Sequence, residues 1–329
     1  MIVVTGGAGF IGSNLVAKLE ENQLGPIFIC DNLMSDERWQ NLKRRSIADF
    51  IAPQDFKSFL DTYGSKIKII YHMGANSSTT ETNVDLIMSM NFKFSKMVLE
   101  ACALNNIRLI YASSAATYGD GSSGFKDGDA QDLLAKYIPL NAYGWSKHLF
   151  DRYISSLRKT GAKLPPQCVG LKFFNVYGPN EYHKADMRSI VLKLFNQISE
   201  GKTACLFKSY RKNYDDGKQL RDFIWIEDCV DLMLWLCDQS QVNGLFNVGT
   251  GVSRSFYDLA SIVFKTLGQE PKIDFIDMPL HLQPKYQYFT QADMTQLQQE
   301  MGYKKPLTTL EEGVSCYIQN YLLKSDPYR

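Results

Sequence analysis

The chain has 329 residues, 45% of them hydrophobic, enough for one large α/β domain or two closely coupled ones around a sizeable core. Thirty-six basic residues against thirty-five acidic ones leave a formal charge of +1, so no global field draws the protein to nucleic acid or to a membrane. Seven cysteines without a C-x-x-C pair argue against a disulfide framework or a zinc site, and neither a basic leader nor a long apolar run suggests secretion or a membrane span. A reducing cytoplasm, with no metal bound, is the expectation.

The first element is a short apolar strand at Ile2–Thr5, followed by a glycine turn and a helix beginning near Phe10. Gly7, Gly9 and Gly12 satisfy G-x-G-x-x-G, and Gly6, Gly9 and Gly12 give the looser register with Gly at every third position. Such a turn lets a pyrophosphate lie against backbone N–H groups at a helix N-terminus, where Cβ atoms would hold it away. A second apolar run, Ile27–Cys30, ends at Asp31, a carboxylate at the distance that meets an adenosine ribose. Further strands are expected at 66–72, 108–112 and 168–174, separated by amphipathic helices at 85–104 and 142–157. This alternation predicts a Rossmann-like, doubly wound parallel sheet.

Beyond Gly178 the pattern is less regular. Helices are expected at 187–200, 228–238, 255–267, 292–301 and 310–322, with strands at 204–207, 223–226, 246–248 and 272–276, and a polar loop at 210–217. The chain then divides into a dinucleotide-binding domain, residues 1–177 with a returning segment at about 222–250, and a smaller α/β substrate lobe made of 178–221 and 251–329.

Tyr143 and Lys147 stand four apart, on one face of a helix. An ammonium near a phenol favours the phenolate and lowers its pKa toward the range useful for a general base. The apolar strand Tyr111-Ala112-Ser113-Ser114 ends in hydroxyls and puts Ser114 at the sheet edge, in reach of a substrate oxygen. Taken singly, Tyr-x-x-x-Lys is common on exposed helices; beside the glycine turn and Ser114 it reads as an active site.

Together these motifs resemble the extended short-chain dehydrogenase/reductase family. The resemblance implies that Tyr143 is the general acid/base, that Lys147 holds the nicotinamide ribose and tunes the tyrosine, and that Ser114 orients the reacting hydroxyl. Asn91 matches a supporting helix asparagine, and could equally be a structural amide. Family dehydratases carry Asp-Glu after the strand serine or threonine; Ala115-Ala116 stand there, so dehydration lacks its carboxylates.

A narrower resemblance covers almost the whole chain. Ser77-Ser78-Thr79-Thr80-Glu81, the segment Phe174-Asn175-Val176-Tyr177-Gly178-Pro179-Asn180-Glu181-Tyr182-His183-Lys184, and Tyr286-Gln287-Tyr288-Phe289-Thr290-Gln291-Ala292-Asp293 are similar to the ADP-L-glycero-D-manno-heptose 6-epimerase family. The resemblance implies that Lys184 is a second acid/base; alone it would read as a loop lysine or a phosphate contact. In the implied reaction a hydride leaves C6″ of the ADP-heptose for an oxidised nicotinamide, giving a ketone, and returns to the other face. A proton carrier is then needed in each pose. The product would feed assembly of the lipopolysaccharide inner core.

Implied cofactor contacts come from Gly6, Gly9, Phe10, Ile11, Gly12, Asp31, Asn32, Arg38, Met73, Gly74, Ala75, Asn76, Ser77, Asn91, Tyr143, Lys147, Val176 and Lys184. Implied substrate contacts come from Ser77, Ser114, Asn175, Asp186, Lys193, Phe207, Arg221 and Tyr286. Arg221 suits the diphosphate, with an Arg221–Asp222 ion pair as its structural alternative. The family pattern is departed from at Asp186, Lys193, Pro53 and Arg38. Asp31 alone favours NAD, whereas Arg38 and the run Lys43-Arg44-Arg45 could neutralise a 2′-phosphate, and the family's habit turns the expectation to NADP, with NAD possible. A homo-oligomer is expected. Two other readings stay open: a different nucleotide-sugar 4-epimerase or reductase of this fold, and a non-catalytic NADP-binding regulator.

Overall fold

A computed structural model of the chain describes residues 1–280 and 282–329. In chain order the elements are β1 (Ile2–Thr5), α1 (Phe10–Glu21), β2 (Ile27–Cys30), β3 (Asp49–Ile51), α2 (Phe56–Tyr63), β4 (Ile69–His72), α3 (Val84–Ile87), α4 (Phe94–Asn105), β5 (Arg108–Ser114), α5 (Gln131–Leu134), α6 (Ala142–Lys159) and β6 (Cys168–Phe173). Then follow β7 (Asn175–Tyr177), α7 (Ile190–Ser199), β8 (Ala204–Phe207), β9 (Leu220–Trp225), α8 (Ile226–Asp238), β10 (Gly244–Val248), β11 (Ser253–Ser255), α9 (Phe256–Thr266), β12 (Ile273–Ile276) and α10 (Leu310–Tyr317).

The central strands are short apolar runs buried along their whole length, which is what a parallel sheet covered by helices on both faces requires. Seven strands pair in the order β10-β6-β5-β4-β1-β2-β3, every pairing parallel. This is the doubly wound 3-2-1-4-5-6 order with a seventh strand added, and its reversal point lies between β1 and β4, where ligands bind outside the strands' carboxyl ends. A three-stranded sheet, β11-β9-β7, and the parallel pair β12-β8 lie outside this main sheet.

Of the segment 222–250 expected to return to the first domain, α8 packs on α1 and β10 completes the main sheet. Residues 222–225 belong to β9 and pair with β7 and β11. Two further differences from the sequence reading have local causes. The helix expected at 292–301 is a π-helical turn at Gln296–Glu300, because the Ala292 N–H is drawn to the Asp222 carboxylate at 2.9 Å. The stretch 84–105 is helical throughout but widens to a π-helix at Met88–Lys93, the turn that carries Asn91. Among the described residues no helix is long and apolar enough to cross a membrane, and no His/Cys/Asp/Glu group could hold a metal ion.

Candidate active site

The glycine turn is built by close approach. Gly6 has φ +68°, and a Cβ there would lie 2.6 Å from Gly74 Cα; a Cβ on Gly12 would lie 2.1 Å from the Gly6 carbonyl oxygen. Gly9 then caps α1 with backbone only: no side chain accepts the first N–H groups, and no acidic residue occupies the first turn. Those free donors fit an anionic pyrophosphate, so the residues present suit a dinucleotide. Phe10 and Gly12 are buried in this turn and Ile11 is half-buried.

Asp31 follows β2 and folds back on the turn. Its Oδ2 accepts the Ala8 N–H at 2.8 Å and its Oδ1 accepts the Asn32 N–H at 2.7 Å. Burial pushes its carboxyl pKa up, against these bonds and the Arg38 guanidinium 3.9 Å away. Arg38 itself is held by Asp36, with Nε 2.8 Å from Oδ1. The basic run beyond it is committed elsewhere: Lys43 and Arg44 pair with Asp326 at 2.9 and 2.6 Å, and Arg45 pairs with Glu20 at 2.9 Å. The expectation that Lys43-Arg44-Arg45 screens a phosphate is therefore corrected; these charges already have partners.

A buried chain of hydrogen bonds runs from the glycine turn to the Tyr143 helix. Thr5 Oγ1 lies 2.6 Å from His72 Nδ1, His72 Nε2 lies 2.8 Å from Ser95 Oγ, and the Ser95 hydroxyl donates to Asn91 O at 2.6 Å. Because the Ser95 hydroxyl is spent on Asn91 O, Ser95 Oγ accepts the His72 Nε2 proton; with the ring neutral, Nδ1 accepts the Thr5 hydroxyl, whose oxygen also accepts the Gly74 N–H at 3.2 Å. Burial, then the Lys147 charge, push His72 down to about 3. Asn91 grips the loop after β4: its Oδ1 accepts the Asn76 N–H at 2.8 Å, and its Nδ2 donates to Asn76 O at 2.9 Å and to Ser146 Oγ at 3.0 Å. Met73, tied to Thr5 O at 3.1 Å, and Ala75 line this loop, and Ser77 projects into solvent.

Asn141 caps α6 by accepting the Gly144 N–H at 2.8 Å, which starts the helix just ahead of Tyr143. Burial pushes the Tyr143 phenol up; the Ser114 hydroxyl works against this and the Asp151 charge adds to it. The expected lowering by Lys147 is not what the site shows, because the Lys147 ammonium donates to the Ala112 carbonyl at 2.8 Å. Burial pushes Lys147 down to about 8, with Asp151 opposing.

Lys184 arrives from the loop after β7, its ammonium 5.2 Å over the Phe10 ring at the start of α1. Burial pushes its pKa down, Glu181 opposes and Lys193 adds. The next residue, Ala185, sits at φ 45°, ψ −123°, a strained turn that Glu181 steadies by accepting the Ser189 hydroxyl at 2.7 Å. Asp186 and Lys193 meet at this turn, where Lys193 Nζ donates to Asp186 O at 2.6 Å.

Arg221 is buried on β9, its guanidinium 5.0 Å over the Tyr286 ring and 5.5 Å over Phe256. Phe207 meets Tyr286 edge-on at 6.2 Å. Asn175 is exposed and Val176 is half-buried beside it. No Arg221–Asp222 ion pair forms. The Asp222 carboxylate is used by the Thr250, Gly251 and Ala292 N–H groups at 2.7, 2.9 and 2.9 Å, leaving Arg221 without a carboxylate among the described residues.

Sequence reasoning missed His72, Asp222 and Asn41. Asn41 Nδ2 joins the glycine turn to the Lys184 loop, donating to Ala8 O at 2.8 Å and Asn180 O at 3.1 Å. A histidine closing a strand just before a glycine was a usable signal for the first; nothing local marks the other two.

This sheet order, uncapped glycine helix and Ser-Tyr-Lys arrangement define a nucleotide-cofactor enzyme of the short-chain type. Residues 2–249 match the NAD dependent epimerase/dehydratase family, and the chain belongs to it. It is 46% identical, over the full length of both chains, to the ADP-L-glycero-D-manno-heptose-6-epimerase of Nitratidesulfovibrio vulgaris strain DP4. The crystal structure of the Helicobacter pylori ADP-L-glycero-D-manno-heptose-6-epimerase superposes with a TM-score of 0.80 at 30% identity, covering 97% of this chain and 95% of that one. The Bacillus cereus UDP-glucuronic acid 4-epimerase, solved with UDP-glucuronic acid and NAD, gives 0.77 at 26% identity, covering 97% and 99%.

Proposed function

We propose that the chain inverts C6″ of ADP-D-glycero-D-manno-heptose to the L-glycero epimer, with Tyr143 and Lys184 as the two proton carriers. The observation that carries this reading is Lys184: a half-buried amine, beyond the Ser114–Tyr143 pair, brought 5.2 Å over the Phe10 ring at the glycine helix. An epimerase that presents both faces of a carbonyl to one fixed cofactor needs a proton carrier in each pose.

The glycine turn, Asp31 and the Asn76 loop would hold the dinucleotide, and Lys147 its nicotinamide ribose. When bound, the nicotinamide supplies reversible hydride acceptance at C6″. Ser114 orients the reacting hydroxyl toward the Tyr143 phenol, and Lys184, its charge weakened by burial, moves the proton in the opposite pose. Arg221 supports the diphosphate assignment, because a buried guanidinium without a carboxylate is costly until an anion joins it. Asn175, Phe207, Tyr286 and, at the rim, Ser77, Asp186 and Lys193 complete the substrate wall in this reading.

The proposal takes NADP as the cofactor, on the support of Arg38 standing beside Asp31; NAD, bound by the Bacillus cereus enzyme, is its alternative. It takes residues 1–177 with the returning segment at about 222–250 as the dinucleotide domain, and a homo-oligomer in the cytoplasm, consistent with free cysteines and with exposed Leu86, Met90 and Trp145 on neighbouring helices. Incubation with ADP-D-glycero-D-manno-heptose, followed by NMR of C6″, tests the reading. Inversion without net consumption or formation of NADPH is expected. No inversion, or NADPH changing in step with product, refutes it.

A further inference from the structure

Helix α6 carries a third side chain in register with Tyr143 and Lys147. Asp151 stands two turns beyond the phenol on the same face, with 1% of its surface exposed. It accepts hydrogen bonds from the sheet below: Tyr111 Oη at 3.2 Å and Ser113 Oγ at 2.7 Å on β5, and Lys172 Nζ at 2.9 Å on β6. Lys172 is wholly buried too. Its ammonium also donates to Thr117 Oγ1 at 2.6 Å, and the Thr117 hydroxyl donates to the carbonyl of Ser114 at 2.8 Å. A solvent-free ion pair is thus wired, through one threonine, to the backbone of the serine that faces Tyr143.

Stability gives little reason to keep such a pair, because well-packed apolar residues of similar volume usually do as well or better. Its placement gives one. Along α6 the pair meets Lys147, His148 and, one residue past Asp151, Arg152; from β5 Tyr111 faces it; Tyr118 lies under Lys172 at 4.9 Å, and Asp127 feels the same ammonium from the loop before α5. His148 is neutral, pushed down to about 4 by burial and then by Lys172. Among the described residues, Lys172 is the one cation bonded to the Asp151 carboxylate.

We propose that Asp151 and Lys172 are positioning residues for the reacting face of α6: Asp151 fixes the helix against β5 and β6, and Lys172 keeps the Asp151 charge from reaching Tyr143 uncompensated while holding Ser114 through Thr117. The inference rests on Tyr143 being the acid/base. The groups act through charges of opposite sign, so their removal must act in opposite directions.

The test compares Lys172→Met, Asp151→Asn and the double variant with wild type as holoenzymes. Tyr143 ionisation is read as the ultraviolet phenolate difference between each protein and its Tyr143→Phe counterpart, and the pH profile of kcat is read beside it. Lys172→Met should move the phenol and the acid limb up by as much as about one pH unit, the effect of a unit charge about 12 Å along a helix at an effective dielectric constant of about 20. Asp151→Asn should move both down, and the double variant should return close to wild type. If Lys172→Met does not fold, Asp151→Asn and the double variant, in which no lone carboxylate is buried, give the same comparison. Shifts in one direction for both single variants, no shift in either, or a double variant no nearer wild type overturn the proposal. Should wild type fail to turn over the sugar while the phenol still shifts as described, the function fails and the pair stands.

Discussion

Replacing His72 with glutamine should make the protein less sensitive to acid. In the folded chain His72 is buried, neutral and fixed in one tautomer between Thr5 and Ser95, with its pKa pushed down to about 3 from an ordinary 6.5. In the unfolded chain it titrates normally. The unfolded state therefore binds one more proton wherever the pH lies between these values, and stability falls with falling pH at about 1.4 kcal/mol per unit. The penalty is absent above pH 6.5, grows below it and levels off near pH 3. Between about pH 7 and pH 5 it integrates to about 2 kcal/mol, a sizeable part of the 5–15 kcal/mol by which domains are typically stable. Glutamine offers an amide donor and acceptor but no titration. Urea unfolding at the two pH values should show wild type losing about 2 kcal/mol more than His72→Gln, with His148 and His183 contributing equally to both proteins. Equal losses would mean that His72 takes up its proton in the folded state, with Nδ1 donating to Thr5 Oγ1 instead of accepting from it.

Tyr143→Phe should lower kcat by at least ~10²-fold with cofactor affinity little changed, checked by NMR turnover and cofactor titration. Lys184→Met should abolish inversion while leaving hydride exchange in one pose measurable with deuterated substrate; near-normal inversion would point to a one-base 4-epimerase chemistry instead. Arg38→Ala should weaken NADP more than NAD by about 1.5–3 kcal/mol, and Asp31→Ala should favour NADP further, both read from dissociation constants of the stripped protein. Lys43→Ala with Arg44→Ala should leave that selectivity alone, because Asp326 already occupies both charges.

What could be read in advance follows from how local each signal is. Ile2–Thr5, Ile27–Cys30 and Ala204–Phe207 are strands in the sequence and in the structure, because apolar runs bounded by turn residues have few other uses. β3 and β7 escaped notice: each is three residues long and partly exposed, so neither has a hydrophobic run to show. Ser114, Tyr143 and Lys147 were legible as a motif, whereas the state of Tyr143 was not, since it depends on burial and on where the Lys147 ammonium is drawn. The charge run at 43–45 misled for a related reason. Its counter-ion, Asp326, comes from the far end of the chain, and no window of sequence holds both partners.

The passage from β6 to β7 has a mechanical consequence. Phe173 ends a strand of the large sheet opposite Ser114, Asn175 begins a strand of the small sheet opposite Phe223, and a single residue separates them. That residue, Phe174, is buried and its N–H is tied to Val248 O at 3.0 Å, so there is no slack to serve as a hinge. The two walls are in effect one casting at this crossing. A sugar that must show first one face and then the other has to turn within a cavity that does not turn with it, and an analogue whose C5″–C6″ bond is locked should settle into one pose and stay there.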